Sequence, residues 1–281
     1  METYYKHSGK VPAIGVLFGF LAGVLVSIPA SYLYDYGIIE ITTDKLRFIC
    51  TIAFGALVGL AAGMGMFWGK VRNNLVAAMI GAATSLAALY ISWGVWIIDI
   101  YERGHWISNP TVLLIRPKLM WHWILELNAT GTWAMEHESP TAGAMLWLVW
   151  LTEALFIVGF GMLVAFALIK RQPFCEQCDS WCSKIEKIYY APTMQPADLK
   201  TKLQNRQFEC LPALGQGSAK AAHFRVVLHS CPTCGTLNTM TLMKTFPKDQ
   251  KTLIDKLLLS ASEAESIRHA RPAQAIAAGT K

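Results

Sequence analysis

The amino-acid sequence predicts a mainly α membrane protein, a four-helix transmembrane bundle followed by a small cytoplasmic α+β domain. Three observations predict it. The chain is 53% apolar and only 16% charged, whereas an ordinary soluble domain carries about 25% charged residues. Its apolar residues are gathered into four long runs. Behind the last of these stand two Cys-x-x-Cys pairs, Cys175 with Cys178 and Cys231 with Cys234.

Residues 11–34, 48–69 and 73–98 contain no Asp, Glu, Lys or Arg, and 139–169 contain only Glu153. A helix needs about 20 apolar residues to cross the hydrocarbon of a bilayer. The runs therefore predict spans over about 11–34, 48–69, 73–98 and 143–169, in a domain covering 1–169. One such run fits the core of a soluble protein, but four in succession do not. The first is too long for the apolar stretch of a cleaved signal peptide and ends in Tyr32, Tyr34 and Asp35 instead of a small-residue cleavage site. It is expected to remain as a membrane helix.

Gly15, Gly19 and Gly23 recur every four residues in the first run, and Gly55, Gly59 and Gly63 do so in the second. That spacing lays a flat stripe along one helix face, where a neighbouring backbone can approach closely. These six are candidate helix-packing residues, either within one bundle or between the copies of a homo-oligomer. Glu153, well inside the fourth run, is a candidate intramembrane site, because a carboxylate at that depth is costly. Thr152, a tryptophan or a histidine of a neighbouring helix would equally satisfy it as structural glue.

The loop over 99–142 holds Trp106, Trp121, Trp123 and Trp133. Amphipathic rings favour the headgroup layer, which predicts a short interfacial helix over Leu119–Leu127. The histidines and glutamates of this loop match no metal-ligand spacing. Lys6, Lys10, Lys70, Arg72, Lys170 and Arg171 crowd one set of helix ends, while Lys45, Arg47, Arg103, Arg116 and Lys118 are spread thinly over the other loops. This asymmetry places both termini in the cytoplasm of a multi-pass protein of a bacterial inner or plasma membrane. Six of the seven cysteines follow residue 170, and a reducing compartment keeps such thiols free for metal.

Positive charge is concentrated in the tail. Residues 170–281 carry 16 Lys and Arg against 9 Asp and Glu, whereas 1–169 carry 9 against 10. A basic surface suits an acidic cytoplasmic protein, nucleic acid or anionic lipid headgroups. The folded part of the tail is expected over 170–267, and the Ala- and Pro-rich stretch 268–281 as disordered.

Within the tail, His223–Ser230 reads as a strand, Cys231-Pro232-Thr233-Cys234-Gly235 as a tight turn and Thr236–Phe246 as a returning strand. Pro232 fixes one φ, and Gly235 permits the positive φ that turns backbone amides toward sulfur. Strand, CPxCG turn and strand together resemble the knuckle of zinc ribbons. The resemblance is confined to the tail and implies a structural zinc held by Cys175, Cys178, Cys231 and Cys234, since four thiolates leave no open coordination position. Cys182, four residues after Cys178, is an alternative ligand, and Cys210 lies in the 52-residue insertion between the pairs. The insertion predicts a helix near Pro196–Glu209, with Leu199 and Leu203 on one face. A second helix is expected over Pro247–Ile267, from a stripe of Leu253, Leu257 and Leu258.

These features point to a membrane-anchored adaptor, whose zinc-stabilised basic tail recruits a cytoplasmic partner. An oligomeric pore or transporter using Glu153 is the alternative, and a membrane-bound thiol redox protein is a second. A four-helix membrane protein with Cys-x-x-Cys pairs also resembles quinone-linked disulfide oxidoreductases, but only Cys50 falls on the oxidising side in this topology. The chain has no P-loop, no GxSxG elbow and no HExxH, so the sequence nominates no enzyme chemistry.

Overall fold

The charge-poor runs form four long helices in the computed structural model, which describes residues 3–41, 43–102, 110–132, 141–219, 221–246 and 249–270. They are α1 (Ala13–Glu40), α2 (Asp44–Trp68), α3 (Asn74–Glu102) and, after the short helices α4 (Thr111–Leu114) and α5 (Pro117–Thr130), α6 (Gly143–Arg171). Each of the four is long and apolar enough to cross a membrane. They run past the bounds expected from charge alone. In α1 the helix continues through Asp35, because Tyr36, Gly37, Ile38 and Ile39 extend the apolar run and only Glu40 and Ile41 end it. The interfacial segment expected over 119–127 is α5, which buries Met120, Ile124 and Leu127 and exposes Trp121. Trp106 and Trp133 lie outside the described residues.

The first helix reverses the pattern of a soluble bundle. The buried side of α1 is small and polar, with Gly15, Gly19, Gly23, Ser27, Ala30, Ser31, Tyr34 and Asp35. Its exposed side carries Leu17, Leu25 and Leu33, the last 76% exposed, and α6 likewise exposes Leu151 and Leu155. Both glycine stripes pack inside this one chain. A Cβ at Gly19 would strike Met66 of α2, and one at Gly23 would meet Thr84 of α3 at 2.5 Å. Along α2, Gly55, Gly59 and Gly63 face Ile157, Gly161 and Leu168 of α6. Backbones that approach this closely gain dispersion contacts.

The described residues fall into two compact units, Ser8–Arg171 and a second that joins Met1–His7 to Gln172–Lys281. In the second unit, β1 (Phe174–Cys175) and β2 (Ser180–Trp181) make a small hairpin. β3 (Lys184–Tyr190) begins the main sheet, followed by α7 (Pro196–Gln204) and two 3-10 turns, Phe208–Cys210 and Pro212–Leu214. β4 (His223–Ser230), β5 (Asn238–Phe246) and β6 (Asp249–Leu259) complete the antiparallel order β3-β4-β5-β6, and α8 (Ala261–His269) follows. Alternation puts Phe224, Val226 and Leu228 of β4 and Met240 and Leu242 of β5 on one face. They form a core with Leu199 and Leu203 of α7 and Ile267 of α8.

Two expectations for this unit are corrected. Over 247–267 there is no single helix. Leu253, Leu257 and Leu258 belong to β6, whose pairing with β5 shifts register around Met240–Met243. Lys256 there has φ 51°, and its amide donates to the Thr241 hydroxyl at 3.2 Å. A leucine spacing of four and five fits helix or bulged strand equally. The true helix start is Ser260, whose side chain accepts from the Glu263 amide while Glu263 caps the Ser260 amide. The disordered tail expected from 268 begins too early, since Arg268 and His269 are in α8; residues 271–281 lie outside the described set.

The free edge of β6 is covered by the N-terminal residues. Tyr4 bridges Leu257, the Tyr5 amide donates to the Lys256 carbonyl at 2.9 Å, and the Leu258 amide donates to that of Thr3 at 3.0 Å. An uncovered edge would template pairing with other chains.

Candidate functional site

Each cysteine pair sits at the turn of a hairpin. Cys175 ends β1, and Cys178 lies in the turn that returns to β2, with Cys175 opposite Ser180. Cys231 to Cys234 connect β4 to β5, with Ser230 opposite Asn238. The two turns share one backbone device. The residue after the second cysteine is left-handed in both, Asp179 at φ 47° and Gly235 at φ 65°. The amides of Gln177 and Cys178 accordingly reach the Cys175 sulfur, and those of Thr233 and Cys234 reach the Cys231 sulfur.

The four sulfurs converge. All lie within 4.8 Å of one another, and Cys175 Sγ is 3.7 Å from Cys234 Sγ. A tetrahedral ion with four metal–sulfur bonds of about 2.3 Å sets its sulfurs about 3.8 Å apart, so the cluster fits a four-thiolate metal centre. None of the seven cysteines forms a disulfide. Thr236 Oγ1 lies 2.9 Å from Cys234 Sγ, and this hydroxyl, with the Thr236 amide, pulls Cys234 down to about 5. Cys178, whose thiol is hydrogen-bonded to Cys234, is pushed up to about 12. At Cys231 burial pushes the thiol up, but the two turn amides outweigh it and the net direction is down. The turn amides thus favour thiolate at Cys231 and Thr236 does so at Cys234, while burial pushes the Cys175 thiol up.

A polar network braces the second turn. Ser230 donates to Asn238 Oδ1 at 2.6 Å, and Asn238 Nδ2 donates to the Gly235 carbonyl at 2.7 Å. Arg268 of α8 donates to Ser230 Oγ at 2.8 Å and to Glu186 of β3 at 2.8 Å. At the first turn, Tyr5 supplies a hydroxyl that accepts from the Phe174 amide at 2.9 Å.

Cys182 is fully buried and packs against Cys175 and Cys231, but it is not among the four converging sulfurs. Burial in this apolar setting pushes its thiol up to about 12. Cys210 sits beside the core of the sheet, apart from the cluster.

In the bundle unit, Glu153 accepts a short hydrogen bond from the Tyr34 hydroxyl, which also lies 2.9 Å from Thr51 Oγ1. Its partner is a tyrosine of α1, while Thr152 donates to the Leu148 carbonyl at 2.8 Å. Sequence reasoning missed Asp35, the next residue. By ending the first span at 34 it left Asp35 in a loop, whereas the helix carries it inward to 2% exposure, accepting from Ser92 Oγ at 2.8 Å. The signal was the apolar stretch after it, which keeps the helix going.

No protein-family model, curated protein or solved structure matches this chain.

Proposed function

We propose that this protein is a membrane-anchored adaptor, in which α1, α2, α3 and α6 span the bilayer and a zinc-stabilised, zinc-ribbon-like unit recruits a cytoplasmic partner. The observation that carries the reading is the convergence of four thiols on a tetrahedral spacing. A centre closed by four thiolates holds a small unit rigid and offers no coordination position to a substrate, which favours a binding surface over catalysis. Membrane insertion is supported by four helices long and apolar enough to cross a bilayer, and by α1, which buries small and polar residues and exposes leucines. The shared topology of the two ends is supported by the pairing of Thr3–Tyr5 with β6. Segments that share one sheet lie on one side of any bilayer, as four crossings require.

Protein purified without added metal is expected to carry about one zinc per chain, lost in Cys231→Ser and Cys234→Ser and retained in Cys182→Ser. Elemental analysis decides this; metal near zero together with disulfides would overturn both the zinc centre and the cytoplasmic placement. For the adaptor, affinity-tagged full-length chain is cross-linked in membranes and isolated. A stoichiometric cytoplasmic protein absent from the Cys231→Ser isolate is expected. Identical isolates, or ion flux into proteoliposomes abolished by Glu153→Gln, would replace the adaptor with another reading, the latter with a pore.

A further inference from the structure

The two edges of the main sheet are finished differently. At β6 the N-terminal residues pair with the strand through two backbone bonds around Leu257. At β3 only the far end is covered. There the Gly217 amide donates to the Tyr189 carbonyl and the Ala191 amide to the Gly215 carbonyl, both at 3.1 Å, around the bridge of Tyr190 to Gln216.

Those two bonds fix which backbone groups of β3 point away from the sheet. In an antiparallel strand the N–H and C=O of one residue point to the same side, and successive residues alternate. Tyr189 and Ala191 point outward, so Ile185 and Lys187 do as well, while Glu186 and Ile188 bond toward Leu228 and Val226 of β4. Among the described residues no segment pairs with Ile185 or Lys187 from outside. Two amides and two carbonyls are left in register along this edge, which is a template for a further strand.

The side chains indicate which strand fits. Lys184, Ile185 and Lys187 are exposed, Ile185 by 38%. The one acid of β3, Glu186, is held by Arg268 at 2.8 Å. Ile185 and Lys187 are two residues apart and therefore share a face. A strand laid beside them places an apolar side chain next to Ile185 and, two residues away on the same face, a carboxylate next to Lys187. A second copy of this chain is a poor match, since it would bring two more lysines to the same short edge.

We propose that the β3 edge is the docking site of the cytoplasmic partner, which adds an extended acidic segment along Ile185–Lys187. This rests on the adaptor reading and names its contact. The zinc ligands take no part in it.

The probe is a fluorescein-labelled, C-terminally amidated heptapeptide, Thr-Glu-Thr-Val-Thr-Glu-Thr, added to purified full-length protein in detergent and read by anisotropy. One control peptide has Lys in place of both Glu residues. A second is N-methylated throughout, which keeps the side chains and removes every amide donor. The expected result is binding displaced by unlabelled peptide, absent for both controls and weakened about tenfold or more by Ile185→Pro and by Lys187→Glu. Proline at 185 removes an outward amide and no bond to β4. No displaceable binding up to about 1 mM would overturn the assignment, as would equal affinity in Ile185→Pro or equal binding of the N-methylated peptide. Should Ile185→Pro fail to fold, the two control peptides on the wild-type protein decide alone. A peptide that fails while wild-type membranes still yield a stoichiometric partner discards the edge and leaves the adaptor; wild-type membranes that yield no partner discard the adaptor.

Discussion

Arg268 joins three elements of the C-terminal unit, β3, β4 and its own helix α8. It donates to Glu186 of β3, to Glu265 of its own helix at 2.6 Å and to Ser230, which leads through Asn238 to the second cysteine turn. Arg268→Ala should therefore destabilise this unit by about 1–3 kcal/mol, the cost of half-buried partners left unmatched. Because the network ends on the Gly235 carbonyl, the same change should speed transfer of zinc to a chromogenic chelator. Destabilisation with unchanged metal transfer would show that the network does not reach the knuckle. The four cysteines were legible because regular spacing between ligands is a local property of sequence. Arg268 and Asp35 were not, because their partners come from other elements: Arg268 finds Glu186 and Ser230 only after the sheet has formed, and Asp35 looks like a loop acid until α1 is seen to continue past it.

At the scale of elements, the glycine stripes were readable while their partner surfaces were not. Spacing alone leaves packing within a chain and packing between chains equally open, and the structure directs α2 onto α6. A Cβ at Gly59 would come 2.6 Å from the Gly161 Cα and closer still to its carbonyl oxygen. Gly59→Ala should consequently force the two helices apart and destabilise the bundle by about 1–3 kcal/mol, seen as a lower unfolding temperature in mild detergent. Gly159 is the matched control. A Cβ there meets nothing within 4 Å, so Gly159→Ala should leave that temperature unchanged or raise it slightly, since Ala suits a helix better than Gly. Equal effects of the two substitutions would mean that helix propensity, not close approach, explains the glycines. The long helices and β4 followed directly from runs and alternation. β6 did not, because a bulge at Lys256 breaks its alternation and imitates a helical leucine stripe.

On the scale of the whole molecule, the two units have separate cores and separate sources of stability. One packs glycine against glycine between apolar helices; the other has a modest sheet core and, apart from it, a cluster of four sulfurs. Stripping zinc from the full chain with a strong chelator should then melt only the second. Trypsin is expected to degrade the Lys- and Arg-rich residues after 171 while a fragment holding the four apolar helices persists. Digestion that proceeds equally with and without the chelator would indicate that the sheet core stands without metal. Acid should act in the same direction as the chelator, because protons compete with the metal for thiolate and lowering the pH releases it.

The covering of β6 by Thr3–Tyr5 has a consequence for how the protein is made. All four apolar helices are synthesised between these residues and the strand they pair with. Until β6 is made, Thr3–Tyr5 lack the strand they cover, and an interrupted chain never gains it. An unpaired segment is a mark of incompleteness that proteases and chaperones read on any nascent polypeptide.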